Sequence, residues 1–187
     1  MDRDATVAVL YTVGHSTRSL DELAQLLERA GVRELLDIRS VPRSRRHPHF
    51  DAEALARSLP ARGIDYTHER ALGGFRRPRP DSPNRGWEHA AFQGYADHMA
   101  SEEFQSGLRP LEERARARSV CVMCAEAQWW RCHRRLLADA LLAAGFQVLH
   151  LGLGSEPVAH RLTSFAHLGD DGTLTYPAAQ VELELGA

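Results

Sequence analysis

The chain has 187 residues, of which 43% are hydrophobic and 26% are charged, and its formal net charge at pH 7 is −2. These values are typical of one globular domain, since single cores usually hold roughly 100 to 200 residues. They exclude a disordered chain. The small net charge gives no support to nucleic acid as a partner, although it is possible, and we expect a small-molecule anion or nucleotide instead.

The sequence contains no predicted membrane span. Its longest apolar runs, Val7–Tyr11 and Val120–Ala125, fall far short of the roughly 20 residues that a membrane helix needs. The N-terminus, Met1-Asp2-Arg3-Asp4, is acidic where a secretory signal is basic. We therefore expect no membrane partner and a cytoplasmic protein. The oligomeric state is not readable from the sequence.

Predicted strands and helices alternate along the first part of the chain. Continuous apolar or β-branched runs predict three strands, at Thr6–Val13, Leu35–Ile38 and Ile64–Thr67. Ser19 and Glu22 form a capping-box pattern that begins a helix ending at Gly31, and Asp51 caps a helix ending at Gly63.

The second part of the chain begins with a basic loop rich in glycine and proline, residues 72–86, which we expect to be mobile and to border the functional cleft. Two helical segments follow, and within the second Pro110 is expected to start a fresh helix. The later predicted elements are Val120–Cys124 as a strand, Cys132–Ala144 as a helix, Phe146–Leu151 as a strand, His160–Phe165 as a short helix, and a C-terminal extension at about 155–187.

This order of elements predicts a single α/β domain over residues 1–187, with a mostly parallel sheet and helices on both faces, in a Rossmann-like or flavodoxin-like three-layer arrangement. Ligands of such sheets bind beyond the carboxyl ends of the strands. Four polar segments follow predicted strands and are expected on that one rim: Gly14-His15-Ser16, Asp37–Arg39, His68-Glu69 and Cys124–Glu126.

The segment Cys124–Arg135 is the densest in reactive side chains. A thiol at a helix N-terminus beside arginine or histidine has a lowered pKa, because backbone N–H groups and cations stabilise the thiolate. The catalytic candidates are Cys124, Glu126, Cys132 and His133, with Cys124 expected to be the functional thiol and Cys121 a packing residue. The alternative is that the cysteines only pack as small apolar side chains.

The candidate ligand-binding residues follow the other strands or lie in arginine-rich runs. Arginines bind phosphate or carboxylate through two N–H groups, and a turn after a strand offers backbone N–H groups to an anion. The alternatives are a helix-capping turn at Gly14-His15-Ser16 and a solvated charged surface in the arginine run. The residues are Gly14, His15, Ser16, Asp37, Arg39, Arg43, Ser44, Arg45 and Arg134.

The three cysteines do not predict a disulfide framework or a metal site. Their odd number, within twelve positions, is typical of reduced thiols. Cys121 and Cys124 form a C-x-x-C, but residues three apart in a strand point to opposite faces and cannot share one zinc ion without a turn. We therefore predict no metal site, and the sequence names no cofactor.

Several motifs in order make the sequence resemble the domain-of-unknown-function 488 family. They are Thr12-Val13-Gly14-His15-Ser16, Leu36-Asp37-Ile38-Arg39-Ser40-Val41-Pro42-Arg43-Ser44-Arg45, Leu72-Gly73-Gly74, Cys124-Ala125-Glu126 and Cys132-His133-Arg134. The resemblance implies an α/β fold and points to the same rim residues. It implies no particular reaction.

Three functions fit these observations. The first is an enzyme that acts on a phosphorylated or nucleotide-like ligand at a cleft of Cys, Glu, His and Arg side chains. The second is an anion- or nucleotide-binding sensing domain with the same pocket and no turnover, since anion contacts alone do not make a catalyst. The third is a thiol redox protein that uses Cys124 and Cys132.

Overall fold

The computed structural model describes residues 7–179 and contains a six-stranded sheet. The strand order is β3-β2-β4-β1-β5-β6; the first five strands are parallel, and β6 pairs antiparallel with β5. The strands are β1 Val9–Gly14, β2 Glu34–Asp37, β3 Asp65–His68, β4 Val120–Cys124, β5 Gln147–His150 and β6 Val158–Ala159.

Within residues 7–179, five α-helices lie on the two faces of this sheet: α1 Leu20–Arg29, α2 Ala52–Ser58, α3 Ala90–Met99, α4 Glu102–Ala117 and α5 Arg134–Ala143. Leu23 of α1 and Leu55 of α2 belong to the core on one face, and Phe104 of α4 and Leu137 of α5 to the core on the other. The predicted three-layer α/β fold with a mostly parallel sheet is therefore confirmed.

The central strand β4 shows why the sequence forms a sheet covered on both sides. Val120, Val122 and Cys124 belong to one core, whereas Cys121 and Met123 belong to the other, and all five residues are buried. Alternate residues of a strand point to opposite faces, so a continuous apolar run suits a strand covered by helices on both. Cys121 and Cys124 accordingly lie on opposite faces.

Two local predictions are wrong. Pro110 does not start a helix but lies inside α4, where burial of Leu108 and Leu111 against the core offsets the cost of about 3 kcal/mol that an interior proline carries. Residues 160–165 are not helical. The backbone N–H of His160 instead donates to the carbonyl of Val148, which continues the pairing of β6 with β5.

The C-terminal extension packs against the domain up to Tyr176, and residues 177–179 are exposed. It contains a hairpin of β7 His167–Leu168 and β8 Leu174–Thr175, and Tyr176 after the hairpin is fully buried. The predicted extension also includes residues 180–187, which lie outside the described residues. No helix between residues 7 and 179 is long and apolar enough to span a bilayer.

The basic loop at residues 72–86 forms no helix or strand after Leu72, as its glycines and prolines predict. The carboxylate of Asp97 in α3 nevertheless anchors it, because it accepts from the Ser82 hydroxyl at 2.6 Å, the Asn84 amide at 2.8 Å and the Arg79 backbone N–H at 2.8 Å. The loop is thus fixed at its middle, and its mobility stays a prediction.

Candidate functional site

A cavity of about 520 Å³ opens at the carboxyl ends of β1, β2 and β4. β1 and β4 are neighbours, but the helices that follow them, α1 and α5, lie on opposite faces of the sheet. Such a switch point leaves a crevice beyond the strands. The lining residues are His15, Arg39, Ser40, Val41, Arg43, Ser44, Gly74, Phe75, Ala91, Phe92, Cys124, Ala125, Glu126, Arg131, Cys132 and His133.

Gly14 allows the chain after β4 to cross closely over β1. A Cβ atom at Gly14 would lie 1.7 Å from the carbonyl oxygen of Glu126. The backbone N–H groups of His15 and Ser16 donate to the carbonyls of Cys124 and Ala125, both at 2.9 Å. These N–H groups are therefore used by the protein, and the predicted anion-binding turn at residues 14–16 does not offer them to a ligand.

Cys124 and Cys132 form a thiol pair at the inner wall of the cavity. Their sulfur atoms lie 2.8 Å apart, and both side chains are buried, with 2% and 6% of their surface exposed. The Nε of Arg134 donates to the Cys124 sulfur at 2.9 Å. The sequence places the two cysteines eight residues apart, and the loop between β4 and α5 folds back to bring them into contact.

The environment separates the pKa values of the two thiols. Burial is the largest influence on both and raises the pKa of Cys124. For Cys132, the hydrogen bond from Cys124 and the charge of Arg134 more than offset burial and lower its pKa to about 7. Because the thiols are in contact, the titration of each depends on the protonation state of the other. This favours Cys132 as the thiolate and Cys124 as its hydrogen-bond donor, whereas the sequence had favoured Cys124.

Arg134 is an internal residue, only 1% exposed. Besides Cys124, its guanidinium binds the Thr12 hydroxyl at 3.1 Å and the backbone carbonyls of Glu126 and Ala127. Arginine has no acceptor and five donors, so these contacts satisfy most of its hydrogen-bonding capacity. Arg134 therefore lies behind the thiols as a fixed positive charge and does not line the cavity.

Asp37 and Arg39 form a salt bridge with each other, and each has a further partner. The Arg39 Nε lies 2.8 Å from Asp37 Oδ1, Arg39 Nη2 lies 2.5 Å from Oδ2, and the same Nη2 donates to the Phe50 carbonyl at 2.7 Å. The Tyr66 hydroxyl also donates to Asp37, at 2.8 Å. Asp37 is fully buried, and Arg39 reaches the cavity with most of its N–H groups already paired.

His15 lies beside Arg39 in the cavity wall. Its Nε2 is 3.4 Å from Arg39 Nη1, its Nδ1 is 3.0 Å from the Ser16 carbonyl, and its ring stacks on Phe50 with centroids 4.3 Å apart. Burial lowers the pKa of His15 to about 4, although the hydrogen bond to Ser16 opposes this shift. The imidazole is therefore neutral at neutral pH.

The remaining predicted site residues differ in whether they line the cavity. Ser44 lines the cavity, and its hydroxyl accepts from the backbone N–H of His47 at 3.1 Å. Arg43 and Glu126 also line it, with exposed side chains, while Arg45 is exposed and is not among the lining residues. Gly14, Ser16, Asp37 and Arg134 do not line it either, although they support its walls.

His133 lies next to the thiol pair. Its Nδ1 is 3.5 Å from the Cys132 sulfur, and its Nε2 is buried without a hydrogen-bond partner within the described residues. Burial lowers the pKa of this imidazole. Gly74 leaves room for the ring, because a Cβ there would lie 2.9 Å from His133 Nδ1. His133 is thus held neutral against Cys132.

An apolar rim around the cavity was not expected from the sequence. Phe75 is 92% exposed and has a φ of +60°, and Val41 is 63% exposed. Both line the cavity together with the partly buried Phe92. Exposed aromatic side chains and positive φ values of non-glycine residues are concentrated at binding sites. The signal in the sequence was an isolated phenylalanine between Gly74 and Arg76.

No group of three or more His, Cys, Asp or Glu side chains within residues 7–179 is arranged to hold a metal ion. Comparison with curated proteins and with solved structures gave no match. Comparison with protein families matched residues 19–141, more than half of the chain, to the family described as domain of unknown function DUF488. The chain therefore belongs to the DUF488 family.

Proposed function

We propose that the protein is a thiol-dependent oxidoreductase whose redox centre is the Cys124–Cys132 pair. The observation that carries this proposal is the 2.8 Å separation of the two sulfur atoms at the wall of an open cavity. A disulfide needs about 2.05 Å between the sulfurs, so bond formation requires a movement of roughly 0.8 Å. Reduced and oxidised forms therefore differ by little more than a rotamer adjustment.

The two cysteines have different roles in this proposal. Cys132 is the attacking thiolate, because its pKa is lowered to about 7 and the first turn of α5 adds positive potential at its position. Cys124 is the resolving thiol: it donates to the Cys132 sulfur and is itself held by Arg134. A thiolate attacks best when its pKa is near the ambient pH.

The reaction follows thiol–disulfide exchange. The Cys132 thiolate attacks one sulfur of a substrate disulfide; a bond forms between Cys132 and that sulfur, and the other substrate sulfur leaves as a thiolate. Cys124 then loses its proton and attacks Cys132, which releases the second substrate thiol and leaves the Cys124–Cys132 disulfide. The substrate gains two electrons from the thiol pair and two protons, one from Cys124 and one from solvent. Two equivalents of an external thiol then reduce the protein disulfide by the same exchange, leave as a disulfide and complete the cycle.

The cavity supports a substrate with an apolar group and a negative charge. Phe75, Phe92 and Val41 supply apolar walls, whereas Arg43 and Arg131 are exposed guanidinium groups at the same cavity. Guanidinium groups bind carboxylates and phosphates through paired N–H groups. A small disulfide that carries carboxylates fits this combination.

The phosphorylated or nucleotide-like ligand expected from the sequence has weaker support. Two of its proposed anion contacts, Arg39 and Arg134, donate to protein acceptors, and the backbone N–H groups of residues 15 and 16 pair with the loop after β4. Arg43 and Arg131 remain for such a ligand. A binding function without turnover differs from the proposed function only in the absence of electron transfer, so a redox assay separates them.

The test is reaction with glutathione disulfide and with an aromatic dicarboxylate disulfide, with release of thiol measured together with the mass of the protein. The wild type is expected to release two substrate thiols per chain and to end with the Cys124–Cys132 disulfide. Cys124→Ser is expected to release one thiol and to keep the other as a mixed disulfide on Cys132, because the resolving thiol is gone.

Cys121→Ser is the matched control, since Cys121 lies on the other face of β4 and is fully buried. It is expected to react like the wild type. Absence of thiol release from the wild type with either disulfide, while the cavity still binds one of them, contradicts the redox function and supports a binding protein.

A further inference from the structure

A buried chain of hydrogen bonds continues from the side of Arg134 that faces away from the thiols. Arg134 Nη1 lies 3.1 Å from the Thr12 Oγ1, and this oxygen lies 2.7 Å from Nδ1 of His150. The Nε2 of His150 lies 3.1 Å from Nδ1 of His160, and the Nε2 of His160 lies 2.8 Å from the Asp139 carboxylate. The chain joins strands β1 and β5 to the first residue and the middle of α5.

With one proton on each imidazole ring, the hydrogen bonds of this chain all run in one direction. A carboxylate only accepts, so His160 Nε2 donates to Asp139, and His160 Nδ1 then accepts from His150. His150 Nδ1 then accepts the hydroxyl hydrogen of Thr12, whose oxygen accepts from Arg134, a residue that only donates. Every hydrogen bond therefore points from the cation to the carboxylate.

The hydrogen-bonded side chains from Thr12 to Asp139 are all buried, so each bond has an energetic cost if it is lost. Thr12 and Asp139 are 0% exposed, His150 is 1% exposed and His160 is 6% exposed. A buried polar group without a partner costs about 1–3 kcal/mol, so reversing one bond would leave a neighbour unpaired. Burial also lowers the pKa of His150 to about 3, which keeps its ring neutral.

Asp139 is held from two further directions, and Trp129 covers the chain. Asp139 accepts from the Thr163 backbone N–H and from the Tyr176 hydroxyl, each at 2.9 Å. The Trp129 ring stacks on His150, with centroids 4.3 Å apart and an interplanar angle of 9°. The far end of the chain is therefore rigid and shielded from water, as a support for Arg134 must be.

We infer that Thr12, His150, His160 and Asp139 are positioning residues, which hold the Arg134 guanidinium against Cys124 and so maintain the thiolate of the Cys124–Cys132 pair. This inference deepens the proposed function and rests on it. Thr12 is the only link of the chain that contacts Arg134 directly, at the guanidinium nitrogen opposite the backbone carbonyls of the loop. Without the Thr12 hydroxyl, the Arg134 guanidinium loses one hydrogen-bond acceptor, and its charge is no longer fixed beside the sulfur atoms.

Other titratable groups also face the thiol pair. His133 lies 3.5 Å from the Cys132 sulfur, and Tyr95 of α3 interacts electrostatically with both thiols. The charged or titratable side chains that share the cavity are His15, Arg39, Arg43, Glu126 and Arg131. None of these is a link of the chain, so a substitution at Thr12 leaves their direct contacts with the pair unchanged.

The experiment compares Thr12→Val with Thr12→Ser. The pH dependence of alkylation of Cys132 by iodoacetamide is measured by peptide mass spectrometry. In Thr12→Val the apparent pKa of the pair is expected to rise by about one unit, which lowers the alkylation rate about tenfold below the pKa. Thr12→Ser retains the hydroxyl and is expected to restore the wild-type profile. Alkylation of the fully buried Cys121 reports unfolding in the same samples.

His150→Phe provides a second route to the same result, because it retains a ring against Trp129 but removes both hydrogen bonds of His150. A raised pKa in this variant supports the inference if Thr12→Val does not fold. An unchanged profile in a folded Thr12→Val or His150→Phe protein overturns it, as does a Thr12→Ser profile equal to that of Thr12→Val. If wild-type Cys132 itself titrates at about 8.5 or above, the proposed function fails instead.

Discussion

The Nε of Arg134 lies 2.9 Å from the Cys124 sulfur, and the two residues come from opposite sides of one loop, Cys124 from the end of β4 and Arg134 from the start of α5. This contact places a fixed positive charge directly behind two touching thiols. A cation near a thiolate lowers the pKa of the thiol, and a buried cation is screened little by salt.

Replacing Arg134 is expected to remove the thiolate. In Arg134→Gln, the charge of Arg134 no longer helps the hydrogen bond from Cys124 to offset burial, so the pKa of Cys132 is expected to rise and alkylation at pH 6 to slow by about tenfold or more. The neighbouring Arg135→Gln is the matched control, because Arg135 contacts the Thr163 hydroxyl and not the thiols. Equal alkylation rates in the wild type and in Arg134→Gln would contradict the effect that the account assigns to the Arg134 charge.

Gly14→Ala is expected to displace the loop after β4, which forms part of the cavity wall. The new Cβ would overlap the carbonyl of Glu126, which also accepts from Arg134. Forced overpacking of this kind typically costs about 1–3 kcal/mol, so urea unfolding should show a stability loss in that range. Gly154→Ala is the control, since no atom lies within 4 Å of its Cβ position. If the urea midpoint of Gly14→Ala equals that of the wild type, the loop after β4 shifts away from the new Cβ without a loss of stability.

The stability of the fold is expected to fall in mild acid through His15. Its pKa in the folded protein is about 4, below the value of about 6.5 for an unfolded histidine. Between these pH values the unfolded chain binds a proton that the folded protein does not, so stability is lost as the pH falls from 6.5 to 4 and is unaffected above 6.5. Each such group contributes at most about 1.4 kcal/mol per pH unit.

Urea unfolding at several pH values tests this expectation. His15→Gln should flatten the decline below pH 6.5, whereas His167→Gln, at an exposed position in β7, should not. An identical decline in wild type and His15→Gln would place the acid sensitivity elsewhere in the molecule.

Phe75 is expected to contribute to binding at the expense of stability. Its φ of +60° is strained for any residue with a Cβ, and its side chain is 92% exposed at the cavity. Phe75→Gly should relieve about 1–3 kcal/mol of strain and lose about 0.5–1 kcal/mol through backbone entropy, so urea unfolding should show a net gain in stability, whereas Phe75→Ala should show none. Both substitutions should raise the KM for an aromatic disulfide. An unchanged KM would exclude Phe75 from the substrate contact.

Features that depend on local sequence are predicted correctly. The apolar run at residues 120–124 predicted a strand covered on both faces, and Ser19 with Glu22 forms the predicted capping box of α1. The parallel sheet places His15, Arg39 and Cys124 at one rim, because His15 and Arg39 follow parallel strands and Cys124 ends one. Periodicity and parallel strand order are sufficient for that result.

Contacts between distant residues could not be read in the same way. Asp37 and Arg39 have the spacing of strand residues on one face, but only the structure shows that they pair with each other. The chain from Thr12 through His150 to Asp139 spans residues that lie more than 100 positions apart. Its members were absent from the predicted site, because a buried histidine looks the same in a sequence whether it packs or positions a neighbour.

The choice between the two thiols depended on similar detail. The sequence favoured Cys124, since it ends a strand at the rim. In the structure, the hydrogen bond from Cys124 and the charge of Arg134 lower the pKa of Cys132, whereas burial raises the pKa of Cys124. A difference of this kind arises from hydrogen-bond direction over a few ångströms, which spacing along the chain does not determine.

The most direct test of the account is the identity of the disulfide in the oxidised protein. The reduced protein is equilibrated with a small-molecule disulfide, its free thiols are blocked, and the linked peptides are identified by mass spectrometry. The account predicts a Cys124–Cys132 linkage that a thiol reductant reverses, with Cys121 blocked only after unfolding. A linkage that includes Cys121, or the absence of any intramolecular disulfide while all three thiols remain free, would contradict the account.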